Sequence, residues 1–146
     1  MLKGLDPILG PELLSVLRAM GHGDDIVIAD ANFPGATMAG DRPLIRLDGL
    51  DAVRILDAVL SVMPLDDLVP EPALRMQVVG APDEEMPVFE EFRRVIAARE
   101  GAQARLGSLE RFAFYERARG CFAVIVSGER RLYGNIILKK GVIRPT

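Results

Sequence analysis

Two short runs decide most of what this chain can become. IVIA at 26–29 and CFAVIV at 121–126 are apolar at every position, without the polar–apolar alternation of a strand that has one wet side. Apolar runs of this length with many β-branched residues form strands covered on both faces, which requires a sheet with helices above and below it. The remaining segments supply those helices. Pro11 suits the first position of a helix, and Leu13, Leu14, Leu17 and Met20 then recur on one face until Gly21. Val53, Leu56, Val59, Leu60 and Met63 mark a second amphipathic helix closed by Pro64, and Val88, Phe89, Phe92, Val95 and Ile96 a third. RFAFYERARG forms a short helical segment ended by Gly120.

The spacing predicts strands over Asp25–Ala29 and Leu44–Leu47, and a strand with one wet face where Leu74, Met76 and Val78 alternate with Arg75 and Gln77. Asn32-Phe33-Pro34-Gly35 reads as a loop. Ser127-Gly128-Glu129 should turn the chain so that NIILKK runs back as the antiparallel partner of the preceding strand. The expected fold class is α/β: a single domain over 1–146 with a mixed β-sheet sandwiched between helical layers, a three-layer α/β/α arrangement.

A chain of 146 residues is long enough to bury one core. With 5% aromatics and no Trp, Leu, Val, Ile and Ala must fill it. Cys121 is the only cysteine, so no disulfide framework is possible, and a reducing, cytoplasmic location is expected. Gly4, Pro7, Gly10 and Pro11 interrupt the first segment, and no run approaches the length of a membrane span. The net charge of −3 is spread over mixed-sign segments, unlike the basic footprint of a nucleic-acid binder. Neither nucleic acid nor membrane is an expected partner.

His22, the only histidine, lies between Gly21 and Gly23. Imidazole can give and take protons near neutrality, and flanking glycines allow close approach to a ligand. The same triplet also fits a surface histidine in a helix-to-strand turn. A glycine loop that follows a helix and opens a strand has the wrong order for dinucleotide binding. Asp30 ends a buried strand, where open α/β sheets place ligand groups, and it also fits a turn acid holding the loop after it. One histidine and one cysteine give no metal-ligand spacing, so neither a metal nor a cofactor is expected. Cys121 opens an apolar strand and reads as a buried thiol. Arg111 and Tyr115 share a helix face at i, i+4, and Tyr133 and Asn135 share a face if extended, with Gly134 between them fitting a bulge. These side chains suit a neutral, hydroxyl-rich molecule.

Taken together, PELLSVLRAMGHGDDIVIADANFP, IRLDGL, RFAFYERA and SGERRLYGNIILKKGV resemble the L-fucose mutarotase and D-ribose pyranase family, with the closer match to the fucose branch. The resemblance implies a cofactor-free epimerase acting at the anomeric carbon of a monosaccharide. It makes His22 of MGHGD the catalytic proton donor, and Asp30, Arg111, Tyr133, Gly134 and Asn135 the substrate-binding residues. Asn32 stands where some bacterial members have a second histidine, so no catalytic role is expected of it. Residues 80–106 carry little specific resemblance. The other reading is a sugar-binding accessory protein without catalysis, whose polar pocket would look the same in sequence.

Eight residues separate His22 from Asp30, and an extended path puts their backbones up to roughly 26 Å apart, wider than one sugar ring. This leads to the expectation of a homo-oligomer with sites shared between subunits. It agrees with the ring-shaped assemblies that the resemblance implies, which are decameric in bacterial members.

Overall fold

The computed structural model describes all of residues 1–146. Its centre is a six-stranded sheet formed by β1 (Asp25–Ala29), β2 (Leu44–Leu47), β3 (Ala73–Met76), β4 (Leu106–Leu109), β5 (Ala123–Ser127) and β6 (Ile136–Lys139), in the order β2-β5-β1-β6-β3-β4. β1, β5 and β2 run parallel, as do β3 and β4, and β6 runs antiparallel to both of its neighbours, β1 and β3. Five strands therefore point one way and β6 points the other.

The fully apolar runs become the inner strands β1 and β5, which are buried at every position. Their alternate residues feed two cores. Ile26, Ile28, Ala123 and Ile125 face the larger one with α1 (Pro11–Ala19), α3 (Ala52–Leu60) and α4 (Pro87–Glu100). Val27, Ala29, Val124 and Val126 face the smaller one with α2 (Gly35–Ala39) and α5 (Arg111–Arg119). The sheet is thus mixed and sandwiched between helical layers, as expected.

Four local expectations are corrected. β5 and β6 do not pair with each other: β1 lies between them and binds both, because an inner strand with two free edges outcompetes a hairpin joined by an eight-residue connection. The 32–35 loop gives way at Gly35 to the short helix α2, and a Cβ at Gly35 would stand 2.4 Å from Val126 Cγ2, so the close seat on β5 requires glycine. β4 is an additional edge strand that the pattern LGSL did not reveal. Arg75 is only 6% exposed, because α4 covers its side of β3 and the guanidinium lies 4.1 Å from the centre of the Phe89 ring. β3 therefore has no wet face.

Candidate active site at one end of the sheet

The antiparallel course of β6 gathers the site. The C-terminal ends of β1, β3 and β4 and the N-terminal end of β6 meet at one end of the sheet, the position where open α/β sheets bind ligands. Asp30 follows β1, Met76 ends β3, Arg111 opens α5 just after β4, and Asn135 immediately precedes β6. These residues, with Asn32, Phe33, Tyr115, Val79, Leu132 and Tyr133, line an open cleft of about 380 Å³. Another concavity of about 400 Å³ lies among Leu14, Leu17, Val62, Met63 and Ile143; its only polar side chains are the cations Arg18 and Lys140, with no carboxylate, amide or hydroxyl beside them, and the Lys140 ammonium is taken up by the carbonyls of Leu17 and Met20.

Asp30 and Asn135 form the floor of the cleft. The Asp30 amide donates to Asn135 Oδ1 at 2.7 Å, and Asn135 Nδ2 donates back to Asp30 Oδ2 at 3.0 Å. The amide of Asn32 donates to Asp30 Oδ1 at 2.9 Å. Burial pushes the Asp30 carboxyl above its ordinary range, against the opposing pull of these hydrogen bonds. A carboxylate has about four acceptor positions; the amides of Asn32 and Phe33 and Asn135 Nδ2 draw on three of them, which leaves one for a ligand. Asn135 similarly keeps one N–H free.

Arg111 reaches the Tyr115 hydroxyl at 3.4 Å and lies 5.5 Å from the ring centres of both Phe112 and Tyr115. Its other N–H groups have no hydrogen-bond partner within the chain. Tyr115 rests against Phe33, at 5.7 Å between ring centres. The helical spacing had paired Arg111 with Tyr115 correctly. Tyr133 and Asn135 reach the same cleft by a different route from the one expected. Tyr133 is not extended but has a φ of 63°, the left-handed region, at a cost of about 1–3 kcal/mol for a residue other than glycine. Its hydroxyl accepts the amide hydrogen of Val79 at 3.1 Å, which leaves its own O–H free to donate. Gly134 is required for close approach, since a Cβ there would stand 2.6 Å from Glu129 Cγ.

His22 is not in this cleft. It precedes β1, whereas Asp30 follows it, so the two lie at opposite ends of a strand roughly 17 Å long. Gly23, at φ 85°, lets the turn close with its amide on the Lys140 carbonyl. The imidazole is 43% exposed, and its Nε2 lies 3.1 Å from Oδ1 of Asp66, whose side chain is 4% exposed and also holds the Leu68 amide. Asp66 had no signal in the sequence: it sits 44 residues from His22 and reaches it only because its own amide bonds to the Lys139 carbonyl at the end of β6. No three His, Cys, Asp or Glu side chains converge to hold a metal ion. Cys121 is buried, and burial raises its thiol pKa.

Comparison with known proteins places the chain among relatives. The chain is 47% identical over 146 residues to the fucose mutarotase of Homo sapiens, covering 97% of this chain and 94% of that protein. Among solved structures, FucU from Bifidobacterium longum superposes with a TM-score of 0.91 at 45% identity, covering 97% of this chain and all of that one. The fucose mutarotase of Streptococcus pneumoniae, solved in complex with L-fucose, superposes at 0.89 with 40% identity over 98% of this chain and all of that one. A family model matches residues 3–143, nearly end to end, and by that match the chain belongs to the RbsD / FucU transport protein family.

Proposed function

We propose that this protein is a mutarotase that interconverts the α and β anomers of L-fucose, with the sugar held in the Asp30–Asn135 cleft and the proton carried by His22 of an adjacent subunit. The observation that carries the reading is the cleft itself. A free acceptor position on Asp30, a free N–H on Asn135, the Tyr133 hydroxyl and the Arg111 guanidinium line it together with Phe33, Met76, Val79 and Leu132. That mixture suits a sugar with several hydroxyls and one methyl group. Relatives named fucose mutarotase, and one of them solved with L-fucose, support the same substrate.

Anomer exchange requires the anomeric hydroxyl to lose a proton and the ring oxygen to gain one as the C1–O5 bond opens. The open-chain aldehyde rotates about C1–C2, and closure reverses both transfers. With Asp66 accepting from Nε2, the imidazole keeps Nδ1 as its base, and the imidazolium formed on taking the anomeric proton is stabilised by the carboxylate behind it. Nδ1 then delivers that proton to the ring oxygen. Positioned proton transfer of this kind contributes roughly 10²- to 10⁴-fold, about 3 to 5.5 kcal/mol of barrier.

The strand-length separation of His22 from the cleft is met by a head-to-tail contact between copies. Val79, Phe112 and Leu132 are exposed beside the cleft, and Leu68 and Ile143 are exposed on the chain segments near His22. A contact between unlike surfaces closes into a ring when the rotation permits. Saturation-transfer NMR on L-fucose should show accelerated anomer exchange that His22→Ala abolishes while sugar binding persists. Wild-type protein that binds without exchange would instead be an accessory binding protein. In mixed assemblies of His22→Ala and Asp30→Ala chains, about a quarter of the sites pair an intact cleft with an intact imidazole, so about a quarter of the activity should return. Mixtures as inactive as either parent refute the shared site.

A further inference from the structure

Tyr133, Gly134 and Asn135 arise from an irregular connection, and Tyr133 holds a left-handed backbone. Such a conformation persists only where its surroundings dictate it. The surroundings converge on Glu129, a carboxylate only 3% exposed. Its Oε1 accepts from the amide and from Nε of Arg131 at 3.0 and 2.9 Å, and its Oε2 accepts from Nη2 at 3.0 Å. The Ala52 amide at the start of α3 also donates to this carboxylate. Arg131 then extends Nη1 to Glu91 on α4. Gly134 lies against the aliphatic stem of Glu129, and the backbone of Glu129 reaches the other half of the cleft: its carbonyl accepts the Ala31 amide at 2.8 Å, and its amide donates to Ser127 Oγ. One residue thus touches both segments that form the cleft floor, without lining the cleft.

We propose that the ionic chain Glu129–Arg131–Glu91 is a positioning device for substrate binding, which fixes the 133–135 segment against α3 and α4 so that Tyr133 and Asn135 meet the sugar in a preset geometry. The proposal rests on the sugar-binding reading of the cleft. Arg131 is the central member because it alone balances the buried Glu129 charge: without it the carboxylate must take up a proton or turn toward water, and Gly134 loses the surface it packs on. Glu91, half-buried on α4, is the outer anchor.

The test uses full-length Arg131→Gln, Glu91→Gln and Glu129→Gln/Arg131→Gln proteins, with anomer exchange read by NMR and hydrogen–deuterium exchange read by mass spectrometry. Arg131→Gln should raise the KM for L-fucose roughly tenfold with kcat within about twofold, because positioning the ligand differs from transferring the proton. Hydrogen exchange should quicken over residues 30–33 and 128–135 and stay unchanged in the strands. The double variant should regain affinity relative to Arg131→Gln, since the unbalanced charge is gone. Should Arg131→Gln fail to fold, Glu91→Gln must show the same pattern in weaker form. Unchanged KM, or a loss confined to kcat, overturns the proposal, as does a double variant no better than the single one. The hydrogen-exchange result separates the two readings: a wild-type protein inactive on fucose, with the 128–135 segment still loosened in the variants, defeats the substrate assignment and leaves the positioning device in place.

Discussion

Asn135→Asp changes one atom and tests the floor of the cleft directly. Nδ2 of Asn135, a donor 3.0 Å from Asp30 Oδ2, becomes an oxygen at the same place. With both carboxylates charged, repulsion at that distance comes to about 5.5 kcal/mol at an effective dielectric of about 20. The pair has a less costly option, which is to retain one proton between the two oxygens. Holding a proton at pH 7 on a group whose ordinary pKa is near 3.9 costs about 1.36 kcal/mol per pH unit, or about 4 kcal/mol. Protonation is therefore the route taken, and about 4 kcal/mol is the expected destabilisation at pH 7. The folded pair has a raised pKa, so the penalty vanishes below the unfolded value and grows as the pH rises through the window above about 4. For a chain of this size the melting temperature should fall by about 8–16 °C at pH 7, and by little at pH 4. Differential scanning fluorimetry of wild type and variant across pH 4–8 measures this. A loss of stability equal at both ends of that range would refute the reasoning, since it would come from packing and not from charge.

Asp66→Asn keeps an acceptor for Leu68 and for His22 Nε2 but removes the charge behind the imidazole. Anomer exchange should slow by about 10- to 100-fold with sugar affinity little changed, as calorimetric titration would show. Arg75→Met removes a buried cation whose nearest carboxylate is 3.8 Å away and whose pKa is lowered by burial, so chemical denaturation should find the variant unchanged or up to about 2 kcal/mol more stable. Gly35→Ala forces a methyl group against Val126 and should cost about 1–3 kcal/mol in the same assay.

Burial patterns made the inner strands readable in the sequence. An apolar run covered on both faces has few alternatives, and Asp25–Ala29 falls where the spacing put it; the edge strand Leu44–Leu47 also falls where expected, with Arg46 exposed. The same patterns do not reveal which strand lies beside which. Ser127-Gly128-Glu129 resembles a hairpin turn when only its neighbours are considered, but β1, a hundred residues earlier, takes the place between the two strands. β4 escaped notice because its LGSL carries a glycine where Glu71 packs against the backbone, leaving no room for a side chain. Arg75 looked like a surface residue because nothing in its local sequence announces the Phe89 ring above it. In the site, the pairing of Arg111 with Tyr115 follows from short-range spacing, and Asp30 and Asn135 are each named by motif resemblance, but their contact across 105 residues appears only in the fold. Asp66 and Glu129 do their work through partners supplied by the fold, and their roles appear only once the sheet is assembled.

The lone antiparallel strand has one more consequence. β6 begins beside Asn135 in the cleft and ends at Lys139 and Lys140, whose carbonyls hold the Asp66 and Gly23 amides next to His22. A single rod of four residues therefore sets the placement of both ends of the molecule at once. If it slid along β1 during folding, the cleft floor and the imidazole turn would be displaced together, so a mistake in this one alignment is all-or-none and leaves neither end correctly built.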